Sequence, residues 1–350
     1  MGDLPAALDA LSQEVRELSL GLSGRVERLD AAPTPLAFYR DYVAEGKPCV
    51  IANGVAHWPA LQRWTNSYLC GKLGDKRVSV DITPGGRGDA VRAESGHFVL
   101  PEERRLPLAD FFALLARSRQ QPELGVPYVQ HQNSSLTGEF PELLGDVEAH
   151  IPWATEALGC QPEAANLWIG DERAATSFHK DHYENLYAVV CGRKTFTLLP
   201  PCDMHRMYLQ PYPCARYRFD ASARPPAWAV DEEVPRREVL WTEVEPAPGS
   251  APVAGDGAAA TSRASFPRFF EGPPPLVCEV GEGDLLFLPS MYYHFVEQRC
   301  GSEGRCIAVN FWYDMRFDVR YAYFAFMEKL WQQHLRASDS REEGGQQQQS

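Results

Sequence analysis

The sequence predicts a mostly β protein, an antiparallel barrel or sandwich with flanking helices at both ends. The second half strings together short apolar runs separated by turn residues, with no helical periodicity between them. Aromatics are plentiful (8 Trp, 14 Tyr and 17 Phe among 350 residues), which suits a β-rich interior or a walled pocket. Both ends carry apolar residues at helical spacing, so helices should close the two sides of the sheet layers.

Residues 1–32 hold Leu4, Leu8, Leu11, Val15 and Leu18 at spacings of three to four, an amphipathic helix. Its stripe needs a cover, from the main body or from a second copy of the chain, and the main body is the favoured choice. A homodimer is the other expectation. The main domain spans 33–336. Within it "PCVIANGV" and "RVSVDIT" read as strands, "LPLADFFALLARSR" (106–119) as a helix, and "VPYVQHQ" (126–132) as a strand. "NLWIGD", the run ending in "LYAVV", and "RKTFTLLPP" follow in quick succession with Gly192 at a turn. Residues 242–275 are rich in Pro, Ala, Gly and Ser and read as a flexible insertion, too poor in apolar surface to order itself. Strands resume with "LVCEVGEGDLLFLP", "YYHFVEQ" and "RCIAVNFWYD". An aromatic-rich helix, "VRYAYFAFMEKLWQQHL", ends the domain, and 337–350 read as a disordered tail.

A net charge of −13 argues against nucleic acid as a partner, because phosphates are met by Lys/Arg surfaces. An acidic chain suits a basic polypeptide partner, with Glu184 and Asp284 as candidate attractors. Nine scattered cysteines without a C-x-x-C pair fit reduced thiols better than a disulfide framework. The N-terminus lacks a basic and then apolar leader, and no apolar run approaches the ~20 residues that span a bilayer. The expectation is a soluble protein of the cytoplasm, with nuclear entry open and no membrane partner.

Chemistry concentrates in "ATSFHKDHYENLY". In a strand, residues two apart share a face, so His179 and Asp181 point one way and Lys180 and His182 the other. His294, in "GDLLFLPSMYYHFV", is the candidate third ligand, returned to the core by a turn at Pro289. Two histidines and a carboxylate form the facial triad that leaves three positions open on Fe(II), two for a bidentate co-substrate and one for O₂. A bare H-x-D is weak. H-x-D feeding a strand, followed by G-D-x₄-P-x₄-H and another strand, is much stronger.

With these motifs in view, "TSFHKDHYENLYAVVCGRKTFTLLPP", "EVGEGDLLFLPSMYYHFV" and "CIAVNFWYD" resemble the JmjC 2-oxoglutarate oxygenases, in particular the small JmjC hydroxylases that modify protein side chains. The resemblance runs from "TPLAFYRDYV" to the C-terminal helix, interrupted by the Pro/Ala-rich insertion, where it departs from the compact family pattern. It implies a double-stranded β-helix, a jelly-roll, cupin-like JmjC core. It also implies Fe(II) on His179, Asp181 and His294, with 2-oxoglutarate and O₂ as co-substrates. Lys194 matches the lysine that meets the distal carboxylate of 2-oxoglutarate, a task suited to a point charge with three donors. Thr176 and Tyr128 match hydroxyls at the same end, and Asn185 and Asn310 resemble polar residues near the iron-proximal carboxylate. The implied reaction is hydroxylation of a lysine side-chain carbon in a protein partner, by resemblance a developmentally regulated GTP-binding protein.

Each assignment has an ordinary alternative. His179 and Asp181 would make a surface hydrogen bond, His294 would be a satisfied core histidine, and Lys194 an exposed turn lysine. Thr176 and Tyr128 are good strand formers anyway. Asn310 is as readily an amide bridging strands. The competing functions are an N-methyl-lysine demethylase, a histone-tail peptidase, and a catalytically silent cupin-like binding module.

Overall fold

The apolar runs of the second half form strands β1 (Ala164–Gly170), β2 (Ala175–His179), β3 (Tyr183–Cys191), β4 (Arg193–Leu199), β5 (Leu276–Gly281), β6 (Leu285–Leu288), β7 (Tyr293–Arg299) and β8 (Cys306–Asp314) in the computed structural model. The structure describes residues 3–21, 24–246 and 264–346, with side chains up to Ala337. The strands wind between two layers. One is a six-stranded sheet in the order Glu27–Leu29, Cys49–Ile51, β6, β3, β8, β1. The other is a five-stranded sheet in the order β5, β4, β7, β2, Arg87–Gly88. Within each layer the barrel strands pair antiparallel, giving the double-stranded β-helix.

Why "LYAVV" is apolar without alternation follows from the packing. Tyr187 and Val189 face the barrel interior with Phe196, Leu198, Val280 and Leu286. Leu186, Ala188 and Val190 face the other way, onto a core that includes Phe38, Trp58 and Phe111. A strand buried on both faces has no polar position to offer.

The first helix, α1 (Leu4–Val15), continues as a wider turn over Arg16–Leu20 and stops there, short of residue 32. Glu27–Leu29 instead joins the sheet, parallel to Cys49–Ile51. Most of the stripe is covered by the main body: Leu8 packs in a cluster with Met204, Phe269 and Trp331, while Leu18 remains 79% exposed. A buried charge network adds to this. Asp203, fully buried, accepts from Arg16 at 2.6 Å, from Arg206 at 2.6 Å and from Ser12 Oγ at 2.6 Å. The helix predicted over 106–119 is α2 (Leu108–Ser118).

Three boundary expectations are corrected. Of the insertion expected over 242–275, residues 247–263 lie outside the described residues, but the flanks are ordered. Val244 and Phe269 are 1% and 4% exposed, and Pro267–Glu271 forms a short helix. Arg206 holds that foot by donating to the backbone oxygens of Arg268, Phe269 and Pro273. Composition averaged over the whole stretch hid the few aromatics at its end. At the C-terminus, α3 (Val319–Gln346) runs well past residue 337, into the stretch expected to be a tail. The strand expected over 126–132 is limited to Val126–Tyr128, continued by one bridge between Val129 and Ile169.

A third sheet, built on Gln210–Asp220, Ala227–Glu232, Glu238–Trp241, His97–Leu100 and Ala90–Arg92, was not anticipated from the sequence. Its polar alternation is that of a sheet covered on one face. It places Phe98 and Trp241 beside the open end of the barrel. No helix among the described residues is long and apolar enough to cross a membrane.

Candidate active site

His179 ends β2 directly opposite His294 on β7, and Thr176 pairs with Val296. Three residues of β2 thus span two of β7, a bulge. Without the extra residue, the odd separation between Thr176 and His179 would send them to opposite faces. With it, both line the same cavity of about 520 Å³. Asp181 is not on the strand at all. It sits in the turn before β3, where its carbonyl accepts from Met291 N at 2.8 Å. The meeting of His179 and Asp181 therefore owes nothing to strand alternation, contrary to the period-two expectation.

The three side chains converge: each offers one ligand atom, and these atoms lie within 4.8 Å of one another. Asp181 Oδ2 is 3.7 Å from His179 Nε2 and 3.7 Å from His294 Nε2. Those separations are too long for hydrogen bonds and short enough for one ion to bridge. The other ring nitrogens are engaged by backbone carbonyls, His179 Nδ1 with Ser177 O at 2.9 Å and His294 Nδ1 with Tyr292 O at 3.0 Å. A carbonyl only accepts, so each Nδ1 carries the hydrogen and each Nε2 keeps its lone pair toward the cluster. Burial, and then the neighbouring His179, lower the pKa of His294 to about 4. It is neutral at physiological pH and ready to ligate. The donor set fits a divalent transition metal with a facial triad.

His182, in the same short stretch, faces outward. Its ring lies against Phe317 and Tyr321 at 6.1 and 6.0 Å. Lys180 is paired with Glu328.

Inside the barrel, Lys194 is 2% exposed, and its ammonium donates to the Tyr128 hydroxyl at 2.9 Å. The ammonium also lies over the Tyr128 and Tyr187 rings at 5.3 and 6.0 Å. Among the described residues, no carboxylate lies within ion-pairing distance of Lys194. A buried cation with one neutral acceptor has two donors to spare, which fits an anionic group of a bound small molecule. Burial raises the Tyr128 pKa and Lys194 opposes it, so the hydroxyl stays protonated. Gly170 makes room for this pair: a Cβ there would lie 2.5 Å from Tyr128 Cδ2.

Asn185 and Asn310 both face the interior, and Asn310 is used by the protein on both sides. Trp168 Nε1 donates to its Oδ1 at 2.8 Å, and its Nδ2 donates to Asn185 Oδ1 at 3.1 Å. Asn310 is thus an amide bridging strands, and Asn185 stands next to it. Glu184 and Asp284, considered as attractors of a basic partner, serve the fold instead. Glu184 accepts from Ser290 N and Oγ, and Asp284 pairs with Arg28 at 2.8 Å and caps Asn53 N.

Two residues beside the triad were missed in the sequence. The Trp241 ring lies parallel to that of His179, with centroids 6.3 Å apart and 7° between planes. Asp89 lines the cavity with a backbone φ of +51°. Nothing in their local sequence marks them; both arrive on segments distant from the H-x-D motif.

Comparison with known proteins agrees with this geometry. Residues 35–319 match the model of the cupin-like domain. The chain is 44% identical to "Lysine-specific demethylase JMJ32" of Arabidopsis thaliana, over 92% of this chain and 91% of that protein. It is 42% identical to "Bifunctional peptidase and (3S)-lysyl hydroxylase JMJD7" of Homo sapiens, over 93% and 97%. It is 31% identical to "JmjC domain-containing protein E" of Dictyostelium discoideum, over 87% and 88%. A double-stranded β-helix with a His-Asp-His cluster at its mouth and a buried lysine within, matched along nearly its whole length, belongs to the JmjC branch of the cupin-like family.

Proposed function

We propose that this protein is an Fe(II)- and 2-oxoglutarate-dependent hydroxylase that oxidises a carbon of a lysine side chain in a protein partner. The observation that carries the reading is the pairing of two sites in one barrel. His179, Asp181 and His294 offer a facial ligand set at the mouth, and the buried Lys194, backed by Tyr128, offers a cation that no carboxylate among the described residues pairs with. A dicarboxylate that chelates at one end and carries a charge at the other suits both.

His179, Asp181 and His294 would hold the iron, which with 2-oxoglutarate and O₂ supplies the oxidation of a C–H bond. The balance is one 2-oxoglutarate, one O₂ and one C–H giving succinate, CO₂ and one C–OH. The chain's own part is placement. Lys194 and the Tyr128 hydroxyl orient the distal carboxylate, with Thr176 on the cavity side as a further hydroxyl. The backbone carbonyls of Ser177 and Tyr292 hold the two imidazoles in their ligating tautomer. Trp241 and Phe98 wall the cavity and restrict water, which protects a reactive site from side reactions.

The partner we propose is a GTP-binding protein of the developmentally regulated class, met in the cytoplasm and the nucleus. The chain covers the stripe of α1 itself except at Leu18; sedimentation of the full chain reports whether a homodimer forms. The test of function is mass spectrometry of candidate GTP-binding proteins incubated with wild type and with His179→Ala. Gain of one oxygen on a lysine, absent with the variant, is the expected result.

A second reading is favoured by one comparison, the Arabidopsis relative named as a lysine-specific demethylase. Demethylation would use the same ligands but release formaldehyde from an N-methyl-lysine peptide, with loss of a methyl group in place of a retained oxygen. A peptidase, which the human relative's name includes, would cleave without consuming 2-oxoglutarate.

A further inference from the structure

Three acidic side chains line the cavity over the triad, and they differ in what they touch. Asp181 belongs to the triad. Glu328 accepts from the Tyr293 hydroxyl at 3.0 Å and pairs with Lys180. Asp89 has one described hydrogen bond, and it uses the backbone: Ser177 Oγ donates to Asp89 O at 2.6 Å. Among the described residues, no hydrogen bond or ion pair reaches the Asp89 carboxylate; His179 and Arg216 act on it only through longer-range charge. The cations that line the cavity are engaged elsewhere, Lys180 by Glu328 and Arg237 by Glu233 at 3.1 Å.

The placement of Asp89 is built. Its φ of +51° is a left-handed conformation that most residues avoid, although Asp and Asn tolerate it. The residue before it, Gly88, pairs with Thr176 of β2, and a Cβ there would meet Gln130 Nε2 at 2.8 Å, so that side chain would have to shift. Ser177 then ties the Asp89 carbonyl to β2, and the same hydroxyl accepts from Trp241 Nε1 at 3.1 Å. One serine hydroxyl thus ties both the Asp89 backbone and the Trp241 indole to the strand that ends in His179. Backbone held in a disfavoured region at a site is a reason to look for a function.

We infer that Asp89 receives the ammonium of the substrate's lysine side chain, making it the residue that selects a primary ammonium over a neutral side chain. The inference rests on the hydroxylase reading above. Asp89 supplies the countercharge, and Trp241 supplies an aromatic wall that an alkylammonium chain favours. Anchoring the nitrogen at Asp89, rather than on the triad itself, would leave a methylene of the same side chain facing the metal. That arrangement suits oxidation of a chain carbon rather than of an N-methyl group. A trimethylammonium, without N–H donors, forfeits the hydrogen bond to Asp89.

The experiment is equilibrium binding of a single-lysine peptide, its norleucine counterpart and its trimethyl-lysine counterpart. It uses the full chain with Mn(II) and 2-oxoglutarate under nitrogen, so that no turnover occurs. Wild type should prefer lysine over norleucine by roughly 10- to 100-fold, the range of a charged hydrogen bond. Asp89→Asn should bring that ratio to within about 3-fold, because the amide offers no charge. Asn also tolerates the left-handed backbone, so the turn survives the change. Asp89→Glu, which keeps the charge, should retain a measurable preference. The inference is overturned if wild type binds the lysine and norleucine peptides equally, or if Asp89→Asn keeps the full ratio. Because the ratio is read without turnover, a failure to find hydroxylated lysine would count against the hydroxylase reading alone.

Discussion

His179 and His294 stand directly opposite each other across two antiparallel strands, with ring centroids 4.1 Å apart. Each is locked through Nδ1 to the carbonyl two residues before it, so both Nε2 lone pairs meet at Asp181. The ligand set is therefore organised by backbone before any ion arrives.

Replacing any one ligand should abolish tight metal binding. Changes to the groups that merely orient ligands cost about 10- to 100-fold in affinity, and removing a ligand should exceed that. Titration of Mn(II) into His179→Ala, Asp181→Ala and His294→Ala, read by electron paramagnetic resonance, checks this. Wild-type affinity in any of the three would remove that residue from the set.

Lys194→Met should weaken 2-oxoglutarate binding about 10- to 100-fold, the loss of one buried charged hydrogen bond. The apo variant should melt no lower than wild type, because a buried cation without an anion is replaced by an apolar chain of similar length. 2-Oxoglutarate should raise the melting temperature of wild type and leave that of the variant unmoved. A variant that melts lower yet still responds would make Lys194 a structural residue.

Gly170→Ala tests the space around the same pair. The new Cβ would lie 2.5 Å from Tyr128 Cδ2 and 2.7 Å from Gln298 Nε2. Overpacking of this kind costs about 1–3 kcal/mol, and here it should also push the Tyr128 hydroxyl off Lys194. Chemical denaturation and 2-oxoglutarate titration of the variant should both worsen; unchanged values would show that the pocket yields freely.

His294 makes the apo protein sensitive to acid. Its folded pKa of about 4 lies below the ordinary value near 6.5, so between these pH values the unfolded chain binds the extra proton. The stability contributed by the neutral buried ring is complete above pH ~6.5 and is lost as pH falls toward 4, by roughly 3 kcal/mol at most. Urea unfolding of the metal-free protein at stepped pH should show this slope, and His294→Gln should flatten it.

Asp203 holds α1 to the body by taking both Arg16 and Arg206 while fully buried. Asp203→Ala leaves two arginines uncompensated and should cost about 3–5 kcal/mol, measured by urea unfolding. A loss below about 1 kcal/mol, the level of an exposed pair, would mean the network is wetter than its burial implies.

The core chemistry was legible because it lies in short motifs. The H-x-D pair, the G-D-x₄-P-x₄-H spacing and Lys194 after the Gly192 turn are local, and the barrel brings them together. The H-x-D pair does not meet by strand period: β2 ends at His179, and a turn delivers Asp181. The bulge that places Thr176 on the cavity side leaves no mark in sequence, because its cause is the pairing with β7. Asp89 and Trp241 were illegible for a related reason. Each reaches the cavity through Ser177, a contact between residues far apart in the chain. The ends of the 242–275 stretch were misjudged because Phe269 is ordered by Arg206 and Phe178, partners outside it.

The central claim, lysine oxidation coupled to 2-oxoglutarate, is tested most directly by stoichiometry. Purified protein, Fe(II), O₂ and a lysine-bearing GTP-binding protein are combined with and without 2-oxoglutarate, while succinate and substrate mass are followed together. Succinate should form in step with the gain of one oxygen on one lysine, and omitting 2-oxoglutarate should stop both. Substrate cleaved or modified at the same rate without 2-oxoglutarate, with no succinate formed, would contradict it.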